Sequence, residues 1–405
     1  MSHRRPISRR QTLQAFAAGA ATLLGTGIHA QTPPWPDILA RARGQKVFFN
    51  AWGGSERTNA YLQWAAGEVS RRHGITLQHV KITDTAEAVR RVRGEKQAGR
   101  ERGGSVDMLW INGENFLTMK REGLLFGPFA ERLPSYRWVD TEGKPTTRID
   151  FSEPVAGMEA PWGMAQFTFF ADRARVPEPP RSMAALLAFA RAHPGRVSYP
   201  RPPNFHGTTF LKQALLEAVR DRAPLYRPYT EAAFAPATAP LWDYLDALHP
   251  QLWRGGRQFP QNAAAIRQMM ADGELHIALT FNPNEAANEI AAGRLPATVV
   301  SWQNEAGSVG NTHFLAIPFN ASAPEAAQVV IDFMLSPAAQ ARKADIAVWG
   351  DGTVLAVGRL PEPERALFAR PPAPGQVQRP APVILEPHGS WVDPLEREWL
   401  RRYAA

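Results

Sequence analysis

The sequence predicts an α/β protein built of two units, and three observations carry that prediction. Apolar runs bounded by turn residues alternate with helical stripes from residue 46 to 123. A second alternation begins near residue 164, after an irregular stretch. The chain is 405 residues long, enough for two hydrophobic cores. Strand and helix in regular succession argue for a parallel sheet covered on both faces.

Taken in order, the first element is a leader. Residues 1–30 carry Arg4, Arg5, Arg9 and Arg10 and no acid, then an uncharged segment that ends at Ala30. This is the pattern of a removable signal peptide, too short and too weakly apolar to span a bilayer. Ser8-Arg9-Arg10-Gln11-Thr12-Leu13 resembles a twin-arginine export signal, although Thr12 stands where phenylalanine is preferred. An exported, periplasmic protein is expected. The chain contains no cysteine, which removes disulfides, thiolate metal sites and a lipidated anchor. The net charge of +8 includes those four leader arginines, and no basic stripe remains to support nucleic-acid binding.

Lys46 to Trp52 reads as a buried strand, and Tyr61, Trp64, Ala65 and Val69 recur at helical spacing behind it. Gly74 closes that helix after the basic turn Arg71-Arg72-His73. Residues 75–82 form a second strand, and Asp84 with Glu87 a capping pair for the next helix. Residues 105–111 are a third strand, followed by a short helix from Asn112 to Gly123. The second unit is expected to hold a long strand from Met164, another at 195–200, and a helix after the loop 202–209. Residues 274–293 repeat strand, turn and helix; 296–302 and 312–319 are late strands, and 324–335 and 337–345 are helices. The proline-rich segment 360–384 reads as an ordered strap over the surface.

Four loops place amides, hydroxyls or aromatic rings where a strand hands over to a helix: Trp52-Gly53-Gly54-Ser55, Asn112 with Glu114 and Asn115, Asn204-Phe205-His206 with Thr208 and Thr209, and Asn282 with Glu285. Such residues cap helices wherever they occur. Four loops of one flavour, at the strand ends where ligands gather in α/β proteins, point to a binding cleft. Trp162, beside Gly163, and Trp52, beside Gly53, are candidate aromatic walls. Catalytic signatures are missing. No dinucleotide fingerprint, Walker lysine, G-x-S-x-G elbow or H-E-x-x-H pair occurs. No cofactor, no metal and no catalytic residue are therefore expected.

The segments "AWGGSERTNAYLQW", "SVDMLWINGENFLTMKREGLL", "APWGMAQFTFFAD", "SYPRPPNFHGTTF" and "AVWGDGTVL" resemble those of extracellular solute-binding proteins of ATP-binding-cassette importers, in particular the YnjB-like group. The resemblance implies a type II periplasmic-binding-protein fold, with a ligand cleft between two lobes joined by crossing strands. On that basis the first lobe spans 31–163 and 281–318 and the second 164–280 and 319–405, with crossings at 164–170, 275–281 and 312–319. The implied partners are a small solute and the membrane permease and ATPase subunits of an importer, with the binding protein a monomer. The acids and aromatic rings suit an organic cation or a heteroaromatic, thiamine-like compound; an oxyanion or a sugar stays open. The competing expectations are a periplasmic hydrolase or lyase with an interlobe active site, and a sensor subunit.

Overall fold

The computed structural model describes residues 33–404, so the leader and its export motif lie outside the described residues. Helix α1 (Trp35–Ala42) precedes strand β1 (Lys46–Trp52), α2 (Glu56–His73), β2 (Thr76–Ile82), α3 (Thr85–Gln97), β3 (Met108–Ile111) and α4 (Gly113–Arg121). The local signals act as physics requires. Ser55 Oγ accepts from Thr58 N–H at the start of α2, and Gly74, at φ 67°, ends that helix by donating to Ser70 O. Asp84 and Glu87 form a reciprocal capping box on α3.

A short pair, β4 (Ile149–Asp150) and β5 (Glu153–Pro154), leads into β6 (Glu159–Gln166). Strands β1, β2 and β3 are parallel, and β10 (Ser308–Ala316) lies antiparallel to both β3 and β6. β11 (Val383–Leu385) joins the start of β10. Side chains alternate across this sheet: Leu315 enters one core with Val47 and Phe49, while Phe314 and Ala316 enter another with Leu109 and Ile111. Both faces are thus covered, as expected of a parallel α/β sheet.

The second lobe is different in kind. Its sheet is the antiparallel trio β8 (Ala278–Thr280), β7 (Thr168–Asp172) and β9 (Val299–Trp302). Around it pack α5 (Met183–Ala192), α6 (Phe205–Ala218), α7 (Glu231–Leu248), α8 (Ala263–Ala271) and α9 (Glu285–Ala291). The expected strand at 195–200 is extended but irregular. It bonds to loops, with Trp253 N–H donating to Val197 O and His276 N–H to Arg196 O. Prolines at 200, 202 and 203 remove the donors that a continued ladder needs. The expected long strand from Met164 is two strands, because the chain changes lobes at Phe167 between β6 and β7.

The lobes also divide differently from the expectation. Leu295, Val299 and Trp302 lie in the second core, not the first. Helices α10 (Pro324–Leu335) and α11 (Pro337–Ala344), together with Trp349 and Leu355, lie in the first. The return crossing is therefore β10 and not 275–281, whose strand β8 stays in the second lobe. The final crossing is the strap. It passes the short helix α12 (Glu362–Ala366), is pinned where Ser301 Oγ donates to Gly375 O at 2.6 Å, and leads to β11. Helix α13 (Val392–Tyr403) then buries Leu395 and Trp399 in the second core.

Candidate functional site

The carboxyl ends of parallel β1, β2 and β3 fall on one edge of the first sheet, bringing Trp52–Ser55, Asp84 and Asn112–Asn115 to that edge. Two seams join it to the second lobe. At one seam Arg57, in the first turn of α2, donates to Asn288 O of α9 and to Ala347 O. At the other, Gly389 packs against Glu114 at the start of α4; a Cβ on that glycine would stand 3.3 Å from Glu114 Cα.

This second seam gathers carboxylates. Glu114 is half-buried, and its Oε1 accepts from Asn115 Nδ2 at 3.0 Å. Asp150 is buried; Oδ2 accepts from Gly113 N–H at 2.6 Å, and Oδ1 has no hydrogen-bond partner. From the other lobe, Glu396 on α13 accepts from Thr208 Oγ1 at 2.6 Å. Glu386, just past β11, accepts from Asn311 Nδ2 at 3.0 Å and pairs with Lys212 Nζ at 2.6 Å. Phe151 reaches the seam through a turn in which it and Ser152 hold φ of 41° and 63°. Its ring lies against Gly113, where a Cβ would come within 2.7 Å.

The electrostatics follow from burial. Loss of water pushes the Glu114 carboxyl up to about 7, with Asp84 and Asp393 adding to the effect and Lys212 opposing it. Burial pushes Glu396 up to about 7 as well, reinforced by Glu114 and Asp393. Asp150 is held well above the usual carboxylate range by burial first and then by Glu114 and Glu386. The raised carboxyls keep protons near neutral pH, and a guest cation would be stabilised here by drawing those protons off.

The sequence-predicted residues fall into three groups. Asn115, Glu114, Phe205 and Thr208 meet at the acidic seam, and Asn112 stands at the N-cap position of α4 without a capping bond. Phe205 is 38% exposed and edge-on to Phe281. Trp52, 41% exposed, lies over Gly54 at the end of β1, where a Cβ would come within 2.4 Å of the indole; Gly53 O accepts from Asn59 Nδ2.

The second group performs local work. Ser55 caps α2, Asn204 accepts from His206 N–H at the start of α6, and Thr209 Oγ1 donates back to Phe205 O. Asn282 accepts from Asn284 N–H. Glu285 is committed to Arg267 and Thr280, so its carboxylate is not open to a solute. His206 is pushed down to about 4 by burial and is neutral at physiological pH.

Trp162 forms the third group, and it overturns an expectation. It is fully buried, edge-to-face with Trp110 at 5.1 Å and Trp349 at 5.3 Å, and belongs to the first-lobe core. Gly163 beside it serves packing: a Cβ there would meet Asp351 and His313 at 2.1 Å. Sequence reasoning missed Asp150, Phe151, Lys212, Glu386 and Glu396. Only Lys212 leaves a local trace, four residues beyond Thr208 and seven beyond Phe205 on one helical face.

A family model described as bacterial extracellular solute-binding protein matches residues 64–360. Protein YnjB of Escherichia coli (strain K12) is 49% identical over 386 residues, covering 95% of this chain and 97% of that one. Two solved structures share the fold at low identity. The spermidine/putrescine ABC transporter substrate-binding protein PotD from Streptococcus pneumoniae has a TM-score of 0.53 and 14% identity, covering 79% of this chain and 87% of its own. The periplasmic binding protein AfuA from Actinobacillus pleuropneumoniae, with fructose-6-phosphate bound, has a TM-score of 0.61 and 13% identity, covering 89% and 99%. Two lobes of type II periplasmic-binding-protein architecture, closing on a seam of buried carboxylates, accord with that family match over most of the chain: the protein belongs to the bacterial extracellular solute-binding family.

Proposed function

We propose that the protein is the periplasmic substrate-binding component of an ABC importer, and that it captures a small organic cation, including heteroaromatic cations of the thiamine-like kind, between its lobes. One observation carries the reading: Glu114 and Asp150 of the first lobe face Glu386 and Glu396 of the second, around a single ammonium, with Phe151 and Phe205 as aromatic walls. Carboxyls that hold their protons in an empty seam ionise against a cation and not against an anion, so an anion is disfavoured here and a cation is welcomed. Aromatic faces add cation–π attraction in the same place. The solute is bound and released unchanged, and a permease with its ATPase receives it. Export of a monomer through the leader completes the reading.

A thermal-shift screen over amines, quaternary ammonium compounds, thiamine, sugars and oxyanions tests this. A cation at a hundredfold excess over its Kd is expected to stabilise the fold by about 2.7 kcal/mol. Stabilisation by oxyanions or sugars alone would sink the reading. For the route, replacing Arg9 and Arg10 by lysine is expected to leave the protein in the cytoplasm.

A further inference from the structure

The cation reading gives the carboxylates to the solute and leaves Lys212 without a task. Lys212 stands on α6, and its side chain is 2% exposed. Its Nζ lies 4.3 Å from the ring centroid of Phe151, 5.7 Å from that of Phe205, and 2.6 Å from Glu386 Oε2. One ring belongs to each lobe. A lysine side chain is a butylammonium on a tether, and here the tether holds it between two aromatic faces, beside a carboxylate and away from water. That is the environment an organic cation would seek.

We propose that Lys212 is a built-in stand-in for the solute's cation, holding its seat between the closed lobes until the solute displaces it. The inference rests on the cation reading of the cleft. Above about pH 7, where Glu114 and Glu396 ionise, an empty seat would leave them facing Glu386 across the seam with nothing to offset the repulsion, and the lobes would part. With Lys212 seated, they can shut empty. Two ammonium groups cannot share the seat, so an arriving cation competes with Lys212, whose flexible stem lets Nζ withdraw. The competition sets a threshold: solutes that present more ring-contacting surface than a primary ammonium win, and simple amines lose.

Interlobe distance at pH 8 is the readout. The chain has no native cysteine, so cysteines introduced at the exposed positions Glu101 and Arg220, one per lobe, can carry spin labels cleanly. In the ligand-free state, Lys212→Ala is expected to lengthen the distance by more than about 2 Å. Millimolar n-butylammonium is expected to restore it, while butyrate and butanol have no effect. Because Lys212→Ala leaves Glu386 unpaired, the pair Lys212→Ala with Glu386→Gln is measured alongside, with circular dichroism reporting the fold. The same opening and the same rescue are expected of it. A distance unchanged by Lys212→Ala, or an opening that n-butylammonium does not reverse, overturns the proposal. Rescue without any cation hit in the solute screen would instead uphold the seat and overturn the cation reading of the natural solute.

Discussion

At the scale of the residue, Glu114 and Glu396 make the fold sensitive to pH. Each is raised from 4.5 to about 7 in the folded protein. Between those values the folded chain keeps protons that the unfolded chain has lost, so stability falls as pH rises through that window. Glu114→Gln and Glu396→Gln are expected to flatten the decline, read by chemical denaturation at pH 5 and pH 8. The tryptophans separate surface from core. Trp52→Ala is expected to change stability by less than about 0.5 kcal/mol, since the ring faces solvent. Trp162→Ala is expected to cost ~3–5 kcal/mol, since it empties the middle of an aromatic cluster. Urea titration distinguishes them. In the sequence both stand beside glycine, and only the tertiary fold sets one against solvent and the other among Phe49, Trp110 and Trp349.

At the scale of the element, local chemistry was legible wherever it acted within a few residues. The Asp84–Glu87 box and the Gly74 stop can be read from spacing, because a cap is satisfied by its own helix. Asp84→Ala is expected to lower stability by ~1 kcal/mol in thermal unfolding. What the sequence hid was partnership. The run from Met164 reads as one long strand, yet its first residues pair with β10 and the rest with β8 and β9 in different lobes. The acidic seam was hidden for the same reason. Thr208 and Glu396 lie 188 positions apart, and no local pattern announces that their side chains meet. The starts of α4 and α6 stand out in the sequence as candidate cleft residues because a helix N-terminus displays free amides.

At the scale of the whole molecule, each lobe is assembled from pieces that the chain supplies at different times. The first takes β1, β2 and β3 from residues before 112, the rest of its sheet from β6, β10 and β11, and a covering layer from α10 and α11. The second takes Ile384, Trp391 and Trp399 from beyond the strap. Two units were legible from length and alternation, but their boundaries were not, since α10 carries an apolar face that either lobe could bury. A fragment of residues 33–320 is expected to lack cooperative unfolding by circular dichroism and to be cut rapidly by protease, because it omits layers of both cores. That division has a consequence for synthesis. A ribosome lays down the first lobe's central strands and α1 to α4 early, yet β10, α10 and α11 complete that core only some two hundred residues later, so the earlier-born lobe is the one that must be sheltered longest.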